Sequence, residues 1–261
     1  MRNPLREKLA AGKRLFGTHV HLTDPRVCEM LGYMGFDYLW IDMEHASMDF
    51  QTLEAHLIAA QSGGTPAVVR VMWNDVPFVK RVLEMGPAGV VFPMINSVEE
   101  ARKALDMCLY PPEGSRGYGP SRAIRYGLDD VAEFIRNAAD QTLRILQVET
   151  VQAVGIMEEV ARLPYLDAFL VGPMDLSGSL GKLGRLQDPE VDGYIDLAVE
   201  KAKKLGIPVG TSIGSGREED LRRWMAKGFD FLSAGIDMAS VLHGARDVLA
   251  CLRSLDESGR K

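Results

Sequence analysis

The chain alternates short apolar runs with longer amphipathic stretches, and the alternation repeats eight times along 261 residues. A short run rich in Val, Ile, Leu and Phe suits a strand buried on both faces, whereas apolar residues recurring every three to four positions suit a helix lying on a sheet. The strands read as Phe16 to Val20, Asp37 to Asp42, Ala67 to Val71, Gly89 to Pro93, Arg144 to Glu149, Ala168 to Gly172, Ile207 to Thr211 and Phe229 to Ala234. Eight β-then-α units in a chain of this length predict an α/β protein, a closed parallel (β/α)8 TIM barrel forming one domain over residues 1–261. An open doubly wound sheet is the other arrangement of the same units.

Local chemistry marks the helix ends. Asp24-Pro25 opens one helix, because Asp can cap and Pro suits the first helical position. A helix over Phe50 to Gln61 turns Leu53, Leu57 and Ile58 to one face and stops at Gly63-Gly64. Val76 to Met85 is a short helix, Ser97 with Glu100 makes a capping box for the next, and Asp129 to Ala139 and Val151 to Arg162 follow. Asp188-Pro189 starts a helix that carries Ile195, Ala198, Val199 and Ala202 inward, and Ser215 with Glu218 caps another. Met238 to Leu255 is the last helix, with a frayed end over Glu257 to Lys261. Pro111 to Gly127 is the longest irregular stretch, of a kind that is functional or mobile in a compact domain.

Several function classes drop out. No apolar run approaches the roughly 18 residues that span a bilayer, and the N-terminus carries charges where a signal peptide needs its apolar segment, so the cytoplasm is the simplest location. A net charge of -6 without a basic run argues against a nucleic-acid surface. Cys28, Cys108 and Cys251 have neither disulfide nor metal-ligand spacing and read as reduced thiols.

In a barrel, residues beyond the strands converge on one opening whatever their separation in sequence. Tyr38 to His45 is an apolar strand that breaks into Asp42, Glu44 and His45, three interchangeable candidates for chemistry. Strand one adds His19 and His21, strand three Arg70, strand six Gly172-Pro-Met-Asp175, and strand seven Thr211 and Ser212. Strand five adds Gln147 and Glu149, which period-two alternation turns to the same face. Glu149 and Asp175 stand either as two solvated acids or as a pair sharing a proton or a hard divalent cation, Mg2+ or Mn2+. Arg70 closes an apolar strand where an unpaired guanidinium is costly, so it needs a structural acid, a bound carboxylate or a developing oxyanion. Arg116, Arg122 and Arg125 share an acid-free loop, which suits an anionic ligand, a partner's acidic surface or plain solvation. Gly210 to Gly216 either cradles a phosphate or serves only the helix cap after it, and His56 and His243 read as packing or surface residues.

Five segments in order, Ile41-Asp-Met-Glu-His45-Ala, Arg70, Tyr110-Pro-Pro-Glu-Gly-Ser-Arg-Gly117, Gln147-Val-Glu149 and Val171-Gly-Pro-Met-Asp175-Leu-Ser177, resemble those of the HpcH/HpaI aldolases. The resemblance to these metal-dependent class II pyruvate aldolases runs nearly end to end. It implies a (β/α)8 barrel that cleaves a 4-hydroxy-2-keto acid to pyruvate and an aldehyde, with Mg2+, Mn2+ or Co2+ as cofactor. It makes Glu149 and Asp175 the metal ligands, Arg70 the group on the keto oxygen, and Gln147 a positioning group for the bound acid. Backbone from Gly172 through Pro173 and Met174 to Asp175 would hold the carboxylate. His45 becomes the base, acting directly or through a water, and Asp42 the neighbour that orients it or binds waters of the metal. Glu84 stands where the family often has an Asp paired with that histidine across a subunit contact. Met174 and His19 replace, respectively, a small or amide residue and a Trp, which reshapes the pocket. The resemblance also implies a homo-oligomer, a hexamer built as a trimer of dimers, with the last helix exchanged between subunits. Two other readings of the strand ends are a metal-dependent amidohydrolase beginning at His19-Val-His21 and a non-catalytic barrel that binds keto acids.

Overall fold

The computed structural model describes residues 3–259. Its strands form one closed parallel barrel in chain order. They are β1 Leu15–Val20, β2 Tyr38–Asp42, β3 Ala67–Arg70, β4 Gly89–Phe92, β5 Leu143–Val148, β6 Ala168–Val171, β7 Val209–Ile213 and β8 Phe231–Ile236. The helices are α1 Pro4–Ala10, α2 Arg26–Gly32, α3 Phe50–Ser62, α4 Val76–Glu84, α5 Val98–Asp106, α6 Val131–Gln141, α7 Val151–Val160, α8 Pro173–Ser179, α9 Pro189–Leu205, α10 Glu218–Ala226 and α11 Asp237–Gly259. Pairing of β1 with β8, Leu15 opposite Phe231, closes the sheet and excludes the doubly wound alternative.

Two cores follow from strand alternation. Leu39 and Ile41 face outward to the helices, whereas Tyr38 and Trp40 point into the barrel with Leu15, Val68, Val91, Ile145, Leu170 and Phe231. Helix α1, which the sequence reading did not anticipate, closes the lower end of that interior with Leu5. It is too short for a periodic signal, and Asn3 anchors it by donating to Ala88 O at 2.6 Å and Gln141 O at 2.9 Å.

Other local expectations shift for identifiable reasons. In α3 the inward face is Leu53, His56, Leu57 and Ala60, so Ile58 is exposed and His56 is buried. That imidazole is a packing residue held by Thr52 O at 2.8 Å and Leu22 O at 2.9 Å. The capping box of α5 forms as read, with Ser97 Oγ accepting from the Glu100 amide. Ser97→Ala is expected to cost about 1 kcal/mol, read as a lowered urea midpoint with an unchanged slope. Ser215 does not cap α10; the cap position is Arg217, and Ser215 bonds Asp220 instead. Gly210, Thr211 and Ser212 belong to β7, so only Gly214 to Gly216 of the glycine-rich stretch is loop. A Cβ on Gly210 would lie 2.1 Å from the Phe231 ring, so this glycine admits an interior aromatic ring. Strands β7 and β8 each begin two residues later than read. Gly172-Pro-Met-Asp175 opens a further helix, α8. Helix α11 continues to Gly259 where fraying was expected; Arg260 and Lys261 lie outside the described residues. No described helix is long and apolar enough to cross a membrane.

The arginine loop also departs from its reading. Arg125 pairs with Asp129, just past the acid-free stretch, and Arg116 and Arg122 donate to carbonyls at the return end of α4, Arg122 also to Leu57 O in the second half of α3. The loop therefore lies at the barrel's N-terminal face, away from the catalytic mouth.

Candidate active site

The inward rows of the strands end in the candidate residues. Trp40 leads to Asp42, Val68 to Arg70, Ile145 to Gln147 and then Glu149, and Leu170 to Gly172. The β2–β3 register sets Asp42 beside Arg70. Arg70 Nε donates to Asp42 Oδ1 at 3.0 Å and its Nη2 to Oδ2 at 2.5 Å, a two-point clamp. Its Nη1 faces Glu44 Oε2 at 2.9 Å, and the guanidinium carbon lies 5.6 Å from the Trp40 ring centroid. Asp42 is fully buried; it also accepts the Glu44 amide at 2.9 Å and lies 3.3 Å from His21 Nε2. Burial opposes both charges, but the bond between them outweighs it, holding Asp42 below the usual carboxylate range and Arg70 above its ordinary value.

Glu149 is buried, and its Oε1 accepts the Met94 amide at 2.6 Å while Oε2 accepts Gln147 Nε2 at 2.5 Å. Met94 has a φ of 53°, a left-handed conformation that a side-chain-bearing residue rarely takes. Burial pushes the Glu149 carboxyl up to about 7; the Met94 amide opposes this, and the charges of Asp175 and Glu44 add to it. Glu44 is raised by burial too, with Arg70 opposing and Asp42 and Asp175 adding. Asp175 is exposed in the first turn of α8. Glu44, Glu149 and Asp175 thus repel one another at one opening, with Arg70 as the cation near them.

This donor set fits a hard divalent cation. A Cβ on Gly172 would fall 2.8 Å from Glu149 Oε2 and 3.3 Å from Gln147 Nε2, so glycine keeps that edge of the carboxylate open. Gln147 Oε1 is buried without a hydrogen-bond partner. Two mutually repelling carboxylates beside an unused amide oxygen supply the oxygen ligands that Mg2+ or Mn2+ take. Among the described residues no three His, Cys, Asp or Glu side chains gather into a metal-holding group.

The family model described as HpcH/HpaI aldolase/citrate lyase matches residues 15–244. The chain belongs to that family. Its enzymatic class is accordingly that of the metal-dependent pyruvate aldolases, which are carbon–carbon lyases. The chain is 36% identical over 238 residues to a 2-dehydro-3,6-dideoxy-6-sulfogluconate aldolase of Pseudomonas putida, covering 91% of this chain and 92% of that one. It is 32% identical over 250 residues to a 4-hydroxy-2-oxo-heptane-1,7-dioate aldolase of Shigella flexneri, covering 96% and 92%. A crystal structure of an HpcH/HpaI aldolase/citrate lyase family protein from Burkholderia cenocepacia superposes with a TM-score of 0.90 at 30% identity, covering 96% of this chain and 99% of that one.

The remaining expected residues of this aldolase stand at the edge of the Arg70 cluster or away from it. His45 lies beyond β2 with its side chain 61% exposed, and Glu44 Oε2 is 3.9 Å from its Nε2. Asp42 does not orient that ring: its oxygens are occupied by Arg70, His21 and backbone amides, including that of His45 at 3.4 Å. Glu84 ends α4, the helix that returns from Arg70 to the opposite face of the barrel, so within one chain it does not meet His45. The backbone cradle is narrower than expected. The Gly172 amide bonds Val148 O at 3.1 Å and Pro173 has no N–H, which leaves Met174 and Asp175 as donors.

His19, in β1, and His21, just beyond it, form no metal pair. His19 Nε2 lies 2.6 Å from Ser212 Oγ and its ring stacks on Trp40 at 4.9 Å. Burial first, then the Arg70 charge, brings its pKa down to about 3, so the ring is neutral. His21 faces Asp42, and the amidohydrolase reading loses its ligands. Sequence reasoning gave Glu44 no firm role and His21 none in this cluster, although alternation from His19 and the strand end at Asp42 pointed to both. Met94 acts through its backbone amide, which side-chain type cannot signal.

Proposed function

We propose that this aldolase cleaves a 4-hydroxy-2-keto acid to pyruvate and an aldehyde, and runs the reverse addition, with Mg2+, Mn2+ or Co2+ held by Glu149 and Asp175. The reading rests above all on Arg70, a guanidinium clamped by buried Asp42 and standing near a pair of carboxylates suited to a cation. A bound divalent cation supplies Lewis-acid stabilisation for the negative charge that develops on the former keto oxygen. Arg70 is aimed at the same charge, and the clamp spares it reorganisation as that charge grows. Gln147 and the Met174 and Asp175 amides position the carboxylate of the keto acid. His45 takes the proton from the 4-hydroxyl as the C3–C4 bond breaks, the bond pair passes into the pyruvate enolate, and C3 of the enolate takes a proton from solvent to give pyruvate; the addition runs these transfers in reverse.

Half-exposed Met174, which shares a cavity lining with Ser212, shapes the aldehyde side, together with His19, the hydrogen-bond partner of Ser212. The relatives' names share a 2-oxo or 2-dehydro acid and differ in the remainder, consistent with a constant pyruvate half and a variable aldehyde half. A homo-oligomer, a hexamer built as a trimer of dimers in the cytoplasm, completes the reading. Exposed Val241, Leu242, Val248, Leu249 and Leu252 on α11 support exchange of that helix, and a Glu84–His45 dyad requires a second copy.

The test is release of pyruvate, coupled to lactate dehydrogenase, from a panel of 4-hydroxy-2-keto acids with each metal. Turnover of at least one member, abolished by EDTA and restored by metal, is expected. No metal-dependent pyruvate from any member would sink the reading.

A further inference from the structure

Met94 keeps its left-handed φ of 53° at the mouth of the barrel, just past β4, and its amide is the donor to Glu149 Oε1 at 2.6 Å. A methionine in this conformation carries a steric cost that glycine avoids, so it persists only where its surroundings over-determine the backbone. Three polar atoms of the Pro93-Met94 turn are each fixed by a different side chain. Asn74, in the loop between β3 and α4, donates its Nδ2 to Pro93 O. Glu149 accepts the Met94 N–H, and Asn96 donates its Nδ2 to Met94 O at 3.2 Å.

Asn96 is tied in turn to the far side of the mouth. Its own amide donates to Glu100 Oε2 at 2.7 Å, and its Oδ1 accepts the hydroxyl of Thr150, the residue after Glu149. Thr150 Oγ1 also caps α7 by accepting the Ala153 amide at 3.0 Å. The turn and the carboxylate are therefore joined twice, through the Met94 N–H and through Asn96 and Thr150. Asn74 makes its bond at a cost. Its Oδ1 is buried without a hydrogen-bond partner, and reversing the amide would set two acceptors, Oδ1 and Pro93 O, against each other. A buried amide with one end unmet contributes little net stability, so its use lies in what the other end holds.

We infer that Asn74 and Asn96 are positioning residues of the metal site: by fixing Pro93 O and Met94 O they hold Met94 in its left-handed conformation, which keeps its amide on Glu149 Oε1 and turns Oε2 to the edge that Gly172 leaves open. Released from them, Met94 relaxes to an ordinary negative φ and its N–H leaves the carboxylate. The inference rests on the reading of Glu149 as a ligand.

Calorimetric titration of the metal-free full chain with Mn2+ tests it, with urea midpoints measured alongside. Asn74→Ala and Asn96→Ala are each expected to weaken Mn2+ binding about tenfold or more. Ser97→Ala loosens the neighbouring helix cap without touching the turn, and should change the affinity by less than about twofold. Glycine takes a φ near that of Met94 without steric cost, so the loss caused by Asn74→Ala should be at least about threefold smaller in a Met94→Gly background. General loosening of the mouth gives no such recovery, because glycine would loosen it further. Unchanged affinity in either folded asparagine variant, a loss that the Met94→Gly background leaves as large, or an equal loss in Ser97→Ala would each overturn the inference. Should Asn74→Ala fail to fold, Asn96→Ala, at a half-buried loop position, decides in the same Met94→Gly background. Glu149→Gln, titrated in parallel, separates this inference from the reading beneath it. Undiminished affinity in that variant, or no Mn2+ binding by the unsubstituted chain, sinks both; lost affinity there beside unchanged asparagine variants overturns the inference alone.

Discussion

Arg70→Ala is expected to lower kcat/KM for pyruvate release by about 10²–10³-fold, the loss typical of removing one preorganised group from a developing oxyanion. The same change should destabilise the fold by about 3–5 kcal/mol, because it leaves Asp42 fully buried and stripped of its bidentate partner. Coupled assays and urea midpoints separate the two effects. Metal affinity should change little, since Arg70 touches Asp42 and Glu44 rather than serving as a ligand. Arg70→Lys keeps the charge but cannot make the two-point clamp, so it should recover part of the stability and little of the turnover. Unchanged turnover in Arg70→Ala would remove this residue from the mechanism.

Glu149→Gln should abolish measurable metal binding and, with it, turnover. Its carboxyl sits at about 7 in the metal-free protein, chiefly through burial, so metal must displace a proton below that pH. Metal affinity should therefore fall about tenfold per pH unit below about 7, and level off above it. Stability of the metal-free protein should run the opposite way. A carboxyl raised in the folded state binds its proton more tightly there than when unfolded, so its contribution is full below the unfolded value of 4.5 and is lost as pH rises to about 7. Urea midpoints of the metal-free protein should decline across that window, and Glu149→Gln should flatten the decline. A metal affinity independent of pH between 5.5 and 7 would show that this carboxylate is not a ligand.

The barrel and half the site were legible before any coordinates. Eight alternations between two periods leave few folds, and a polar residue that ends an apolar strand has one place to go when strands run parallel. That is how Arg70, Gln147, Glu149 and Asp175, spread over about a hundred positions, could be assigned to one opening. Period also settled the inward faces of long helices such as α9, where Ile195, Ala198, Val199 and Ala202 are all buried as read.

Residue pattern alone could not apportion roles among Asp42, Glu44 and His45, since all three follow one strand; only the family resemblance gave His45 the role of base and Asp42 that of its orienting neighbour. The closed barrel separates them, because inward alternation and the β2–β3 register give Asp42 to Arg70, leave Glu44 facing Arg70, and put His45 in solvent. The same holds for the loop arginines. Their acid-free spacing left an anionic ligand, a partner's acidic surface and plain solvation open, because whether an arginine meets an acid, a helix end or solvent depends on chain segments far away in sequence. Arg125 found Asp129 next door, whereas Arg116 and Arg122 were carried to helix ends that no local pattern could name. Periodicity is a property of neighbours along the chain, and charge pairing is a property of neighbours in space; only the folded barrel brings the second set together.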